Sequence, residues 1–243
     1  MAIYRHISTD LKHDGVFEPR IPSCRHQDQE DDKTLRISMT PTLEDCLTAI
    51  PNGGMNLEQL NMEQRGMYLL ITIDTEKLGI SEDDIITSVT LYEKDLVRDA
   101  DITNEVWITK GFQVPKEDMQ IIRVTDWQEV AHDIIPYSII QIADEKYEDD
   151  YLTAYQDIYD DFVPCSIGIE NVQYFSEHLE VGETVSFYVD DEMEYKAILA
   201  YINDMKGVEV IKKDMDEIVI CSKENINLKK IFMFHADIVG LTI

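Results

Sequence analysis

Polar and apolar positions alternate from the start of the chain. In MAIYRHIS (1–8), Ile3, Arg5 and Ile7 fall on one face and Tyr4, His6 and Ser8 on the other, a strand pattern. A polar loop follows, HDGVFEPRIPSCRHQDQEDDKT, and then the short strand LRISM. The spacing next turns helical in TPTLEDCLTAI, where Leu43, Cys46, Leu47 and Ile50 form a stripe. Thr40 is placed to cap that helix, Pro41 suits its first turn, and Glu44 sits near its positive end. PNGG closes it. GMYLLITID is apolar enough for a central strand, and DIITSVTLYE, EVWITK and MQIIRVTDW read as further strands. Residues 1–140 are expected to form a mixed α+β domain.

The pattern changes at ADEKYEDDYLTAYQDIYDD (143–161). Tyr147, Tyr151, Tyr155 and Tyr159 recur every fourth residue, which predicts a helix within an acidic linker over 141–164. Asp144, Glu145, Glu148, Asp149, Asp150, Asp157, Asp160 and Asp161 stand against Lys146 alone. Such a helix either packs its tyrosines on a neighbouring domain or presents them as anchors, with acids steering a partner. In the second case Tyr151, Tyr155, Asp149, Asp150, Asp160 and Asp161 would meet that partner.

Beyond Val172 short apolar runs recur. ETVSFYVDD places Val185, Phe187 and Val189 on one face; MEYKAILAYIN, GVEVIKK, DEIVICS and KKIFMFHADIVGLTI read as further strands. Turns are expected at Asp190–Glu192 and Asn203–Gly207. A small all-β barrel over 165–243 follows, similar in rhythm to SH3-like or Sm-like barrels, a likeness that carries no function.

Composition adds bounds. The 243 residues are 44% hydrophobic, enough for a sizeable core. No apolar run approaches the ~20 residues of a membrane helix, and the amino terminus lacks the pattern of a secretory signal. The four cysteines are widely spaced, with no C-x-x-C pair, so a reducing, cytoplasmic setting is expected. With 49 acids against 21 Lys and Arg, the formal net charge is −28. That field repels nucleic acid and anionic membranes and attracts basic protein surfaces, including grooves built for DNA or RNA.

The zincin, P-loop, dinucleotide-fold, nucleophile-elbow and calcium-loop motifs do not occur. Cys24, His26 and His13 lie close in a charged loop without an obvious fourth ligand, so no metal site is expected. One ordered set remains. IYRHIS (3–8) on the first strand, RISMT (36–40) before a helix, and Glu105 ahead of VWITKGFQVP succeed one another.

This order resembles the ADP-ribosyltransferase superfold over residues 1–128. The resemblance implies an NAD site in which His6 or Arg5 holds the dinucleotide, Ser38 stands on the second strand, and Glu105 binds the ribose hydroxyls. Ser38-Met39-Thr40 stands where the arginine-type branch of that family has Ser-Thr-Ser, and Thr103 where it has Glu or Gln. Ile7-Ser8-Thr9 stands where the His-type branch continues with glycine. The chemistry is coherent: cleavage of the nicotinamide–ribose bond develops oxocarbenium character, and a carboxylate stabilises it.

Two functions are thus expected. One is an ADP-ribosyltransferase-like protein, active or degenerate, acting on an intracellular target. The other is an acidic, non-catalytic inhibitor of the phage or mobile-element anti-defence type, a nucleic-acid mimic that blocks a basic groove.

Overall fold

A computed structural model describes residues 2–22, 30–50, 67–132, 135–159, 164–189, 191–214 and 217–238. Its elements, in chain order, begin with strands β1 (Ile3–Ser8), β2 (Val16–Phe17) and β3 (Ile37–Met39), then helix α1 (Leu43–Thr48). Strands β4 (Met67–Asp74) and β5 (Ile85–Ile86) precede two short helices, α2 (Ser88–Glu93) and α3 (Ala100–Thr103). Then come β6 (Val106–Ile108), β7 (Phe112–Gln113), β8 (Met119–Ala131), α4 (Tyr137–Lys146), α5 (Tyr151–Tyr159) and β9 (Cys165–Phe175). The last part holds β10 (His178–Leu179), β11 (Thr184–Tyr188), α6 (Glu192–Asn203), β12 (Val208–Lys213), β13 (Glu217–Ser222), β14 (Ile226–Asn227) and α7 (Leu228–Ile238).

The central sheet runs β1-β4-β8-β9, with every pairing antiparallel. Strand parity divides its residues between two cores. Tyr68, Leu70, Ile122 and Val124 meet Leu43 and Leu47 of α1 on one face. Met67, Leu69, Ile71 and Ile121 point into the larger core on the other. A second sheet, β3-β6-β5, adds Ile37, Met39, Val106 and Ile108 to that larger core. An antiparallel bridge between Arg5 and Thr40 ties the two sheets together.

α1 starts later than the sequence suggests. Thr42 is its cap: the Thr42 side chain accepts from the Asp45 N–H at 3.1 Å and the Asp45 carboxylate accepts from the Thr42 N–H at 3.2 Å. Thr40 is still extended, because its backbone exchanges hydrogen bonds with Arg5. The PNGG stop lies outside the described residues.

Further expectations are corrected. DIITSVTLYE is β5 followed by α2, whose Thr87 side chain accepts from the Thr90 N–H at 3.3 Å. The tyrosine run is two antiparallel helices rather than one. Glu148 (φ 51°) and Asp149 (φ 70°) turn the chain between α4 and α5. The carboxyl-terminal part holds no closed barrel among its described residues; β11-β13-β12 and β10-β14 are open sheets covered by α6 and α7. Asp191, expected in a strand turn, instead caps α6 by accepting from the N–H groups of Met193 and Glu194, both at 2.7 Å. Cys165–Phe175, expected to open the barrel, is the edge strand of the central sheet.

The core does not stop at residue 140. One buried cluster holds Met39, Leu69 and Val106 together with Phe187, Ile198, Ile220 and Phe232. Arg123 of β8 reinforces this junction, donating from Nη1 to the Ser186 carbonyl at 3.0 Å and facing the rings of Phe175, Tyr188 and Phe232. Among the described residues, no helix is long and apolar enough to cross a membrane.

Candidate functional site

The site is built on the pairing of β3 with β6, which sets Ser38 opposite Trp107 and Met39 opposite Val106. Alternation sends Ile37, Met39, Val106 and Ile108 into the core. Arg36, Ser38, Glu105 and Trp107 are left on the other face. There Trp107 packs with Leu91, Val97 and Ala100 of the α2–α3 segment. Asn104, at φ 52°, ends α3 in the left-handed region that Asn tolerates and delivers the chain into β6. Its side-chain amide donates to Asp45 at 2.9 Å, tying this corner to α1.

Glu105 is buried, at 8% exposure. Its Oε1 accepts from the Trp107 indole N–H at 2.7 Å, and Ser38 stands on the same face of the neighbouring strand. Burial raises its pKa above the ordinary carboxylate value, opposed by the Ser38 and Trp107 hydrogen bonds and supported by the charges of Glu30 and Asp99.

The Arg5–Thr40 bridge draws β1 alongside β3, so His6 Nδ1 lies 3.3 Å from the Ser38 carbonyl oxygen. A carbonyl only accepts, so Nδ1 carries the proton and Nε2 of the neutral ring is an acceptor. Burial drives the imidazole pKa down from 6.5 to about 4, with the Ser38 carbonyl acting against this and His13 and Arg20 adding smaller depressions. The ring packs edge-on to Phe17 at 5.2 Å. Parity had suggested that His6 faces away from a core under Ile3 and Ile7. Ile7 does pack on the α1 side, but the His6 face carries Tyr4 against the larger core.

His6, Ser38 and Glu105 therefore form a connected set. Arg5 does not join it. It projects to the α1 side, where its charge bears on Cys46, so no β1 cation faces the carboxylate. Ser38 and Glu105 are well suited to hold sugar hydroxyls, and His6 offers a polar nitrogen without a charge.

Two residues of this face were not singled out from the sequence. Arg36, with a fully buried side chain, lies over the Trp107 ring at 3.9 Å and pairs with Glu30 at 2.8 Å. It also donates from Nη1 to the Asp31 carbonyl at 2.8 Å. The signal was available: Arg36 stands two residues before Ser38 and Trp107 two after Glu105, which is same-face spacing on a strand.

The expected partner residues lie elsewhere, on the α4–α5 hairpin. That hairpin has its own small core of Ile139, Ala143 and Ala154, with Tyr147 and Tyr155 packed against it. Tyr147 donates to Asp157 at 3.0 Å, and the Tyr155 ring meets that of Tyr159 at a tilt of 50°, with centroids 4.7 Å apart. Tyr151 and Tyr159 stay exposed. Asp149 occupies the turn, and Asp150 starts α5 by accepting from the Thr153 N–H at 3.0 Å. Asp160 and Asp161 lie outside the described residues, as do Cys24 and His26. Among the described residues no three His, Cys, Asp or Glu side chains are grouped to hold a metal ion. The thiols are poor nucleophiles where burial acts on them, pushing Cys46 up to about 12 and Cys165 up to about 11.

No protein-family model matches the chain, and neither a curated protein nor a solved structure matches it significantly.

Proposed function

We propose that the chain is an ADP-ribosyltransferase-like protein that takes NAD as substrate at His6, Ser38 and Glu105. The observation that carries this reading is the convergence of three segments on one face: Ser38 and Glu105 share the outer face of the β3–β6 pair, and His6 sits on the Ser38 carbonyl. Three strands remote in sequence supply one polar, partly enclosed set. Glu105 as a carboxylate accepts from ribose hydroxyls and stabilises positive charge as the nicotinamide–ribose bond lengthens. Ser38 offers its hydroxyl beside the carboxylate, and His6 orients the strand end through the Ser38 carbonyl. The test is NAD turnover with purified protein, read as nicotinamide release with and without basic protein acceptors. Glu105→Gln should keep the fold and lower turnover at least about a hundredfold, the usual size of losing one such electrostatic group. Equal turnover in the variant removes Glu105 from the chemistry.

A second reading is favoured by one observation: Tyr151 and Tyr159 are exposed on a helical hairpin that also carries Asp144, Glu145, Glu148, Asp149 and Asp150. Here the hairpin docks on a basic protein surface. Were the NAD site inactive, the chain would act by occupying a groove of a nucleic-acid-binding protein.

A further inference from the structure

A buried glutamate serves a ribose only if it is ionised and aimed. Glu105 works against its surroundings on the first count, since burial and the charges of Glu30 and Asp99 all favour the protonated form. Two side chains oppose that tendency, Ser38 nearby and the Trp107 indole, whose N–H donates to Oε1 at 2.7 Å. They differ in kind. A hydroxyl rotates and can accept as well as donate, so it is equally content beside a carboxylic acid. An indole N–H only donates, and in a buried position it must find an acceptor.

The ring that carries this donor is fixed on both sides. Trp107 is fully buried among Leu91, Val97 and Ala100, and the Arg36 guanidinium lies across its face at 3.9 Å. Arg36 is fixed in turn by Glu30 and by the carbonyls of Asp31 and Thr34. A cation over the ring draws electron density from it and strengthens the N–H as a donor. Nothing in this chain of contacts requires NAD.

We infer that Trp107 is a positioning residue for Glu105: its indole N–H fixes Oε1 so that the carboxylate stays ionised and cannot turn away from Ser38, with Arg36 holding the indole. This rests on the proposed NAD reading for its purpose, though not for its geometry. The charges that bear on the carboxylate are those of Glu30 and Asp99 on the flanking segments, and Arg36, just ahead of β3, is paired with Glu30. His6, on β1, is neutral near pH 7. As Glu105 gains a proton the indole loses a charge-assisted bond, so the Trp107 N–H resonance reports that titration directly.

The experiment uses the full chain labelled with 15N and with 13C at the Glu carboxyls. Only Trp107 and Trp127 contribute indole resonances. The Trp107 signal should shift with pH, with the same midpoint as the Glu105 carboxyl, and Glu105→Gln should abolish the inflection. Trp107→Phe should raise the Glu105 midpoint and move the acid limb of NAD turnover upward by the same interval. In that variant kcat should fall about tenfold with KM little changed, the size of one hydrogen bond to a charged group. A wild-type indole signal that ignores the Glu105 titration overturns the inference, as does an unmoved midpoint in Trp107→Phe. If that variant does not fold, the comparison of wild type with Glu105→Gln decides by itself. Absence of NAD turnover in the wild type would remove the enzymatic reading while leaving both resonance measurements able to decide the positioning role.

Discussion

His6 and Glu105 titrate in opposite senses, and pH separates them. The His6 imidazole falls from 6.5 to about 4 in the fold, so between those values the unfolded chain binds a proton that the native chain refuses. This contribution is fully present above about pH 6.5 and is lost as pH falls toward 4. Glu105 is raised, so in its window the native chain holds a proton that the unfolded chain has released. Its contribution is present below the ordinary carboxylate pKa and is lost as pH rises through the raised native value. His6→Gln should therefore flatten the acid side of the stability curve, removing on the order of 2 kcal/mol of pH-dependent stability. Denaturant midpoints of wild type and variant at pH 7 and pH 4.5 measure this. A wild-type difference that persists unchanged in His6→Gln would mean that other groups govern the acid limb.

At the scale of elements, the hairpin makes the sharpest division between side chains that look alike in sequence. Tyr155 packs on Ile139, Ala143 and Ala154, whereas Tyr151 and Tyr159 are largely outside that core. Tyr155→Ala should destabilise the hairpin by about 2 kcal/mol, read as faster amide exchange in α4 and α5, while Tyr151→Ala should leave exchange unchanged. If the hairpin docks on a basic surface, Asp149→Asn with Asp150→Asn should slow association and weaken its salt dependence. Asn still caps α5 at position 150, so the change is confined to charge. What the sequence disclosed follows the same local logic. The long strands β1, β4 and β8 and the short β6 were legible because one or both faces are apolar with a period of two. The two helices near the end were not, because their apolar runs are short and wide. Ile198 and Ile202 have helical spacing, as do Leu228, Ile231, Phe232 and His235, yet each segment also alternates well enough for a strand. Asp191 and Asn227 are turn residues by type and helix caps by use. The set of His6, Ser38 and Glu105 was visible in chain order. The place of Arg5 was not, since parity assigns a face and only the packing of α1 shows which face that is.

At the scale of the whole molecule, charge and core pull on the same question: how the first 140 residues and the last 79 hold together. A chain of net charge −28 repels itself, and no charge surplus favours association of one acidic half with another. The cohesion must come from the buried cluster that joins Met39, Leu69 and Val106 to Phe187, Ile220 and Phe232, and from Arg123 set among aromatic rings at the junction. Arg123 is a buried cation whose pKa is driven down to about 10 by desolvation, with Tyr188 acting in the opposite sense. Its hydrogen bond to the Ser186 carbonyl crosses from β8 to β11. Glu148 and Asp149 in the hairpin turn are exposed, and they belong neither to the shared cluster nor to the Arg123 contacts, so the turn is a natural site for a protease. A single cut there severs the chain without touching the shared core. The nicked protein should therefore migrate as one particle in gel filtration and separate only in denaturant. Arg123→Met keeps the length and removes the charge and its hydrogen bond; the nicked variant should come apart at lower denaturant than the nicked parent. Two pieces that separate spontaneously after the cut would show that the shared cluster contributes little, and that the halves fold as independent domains.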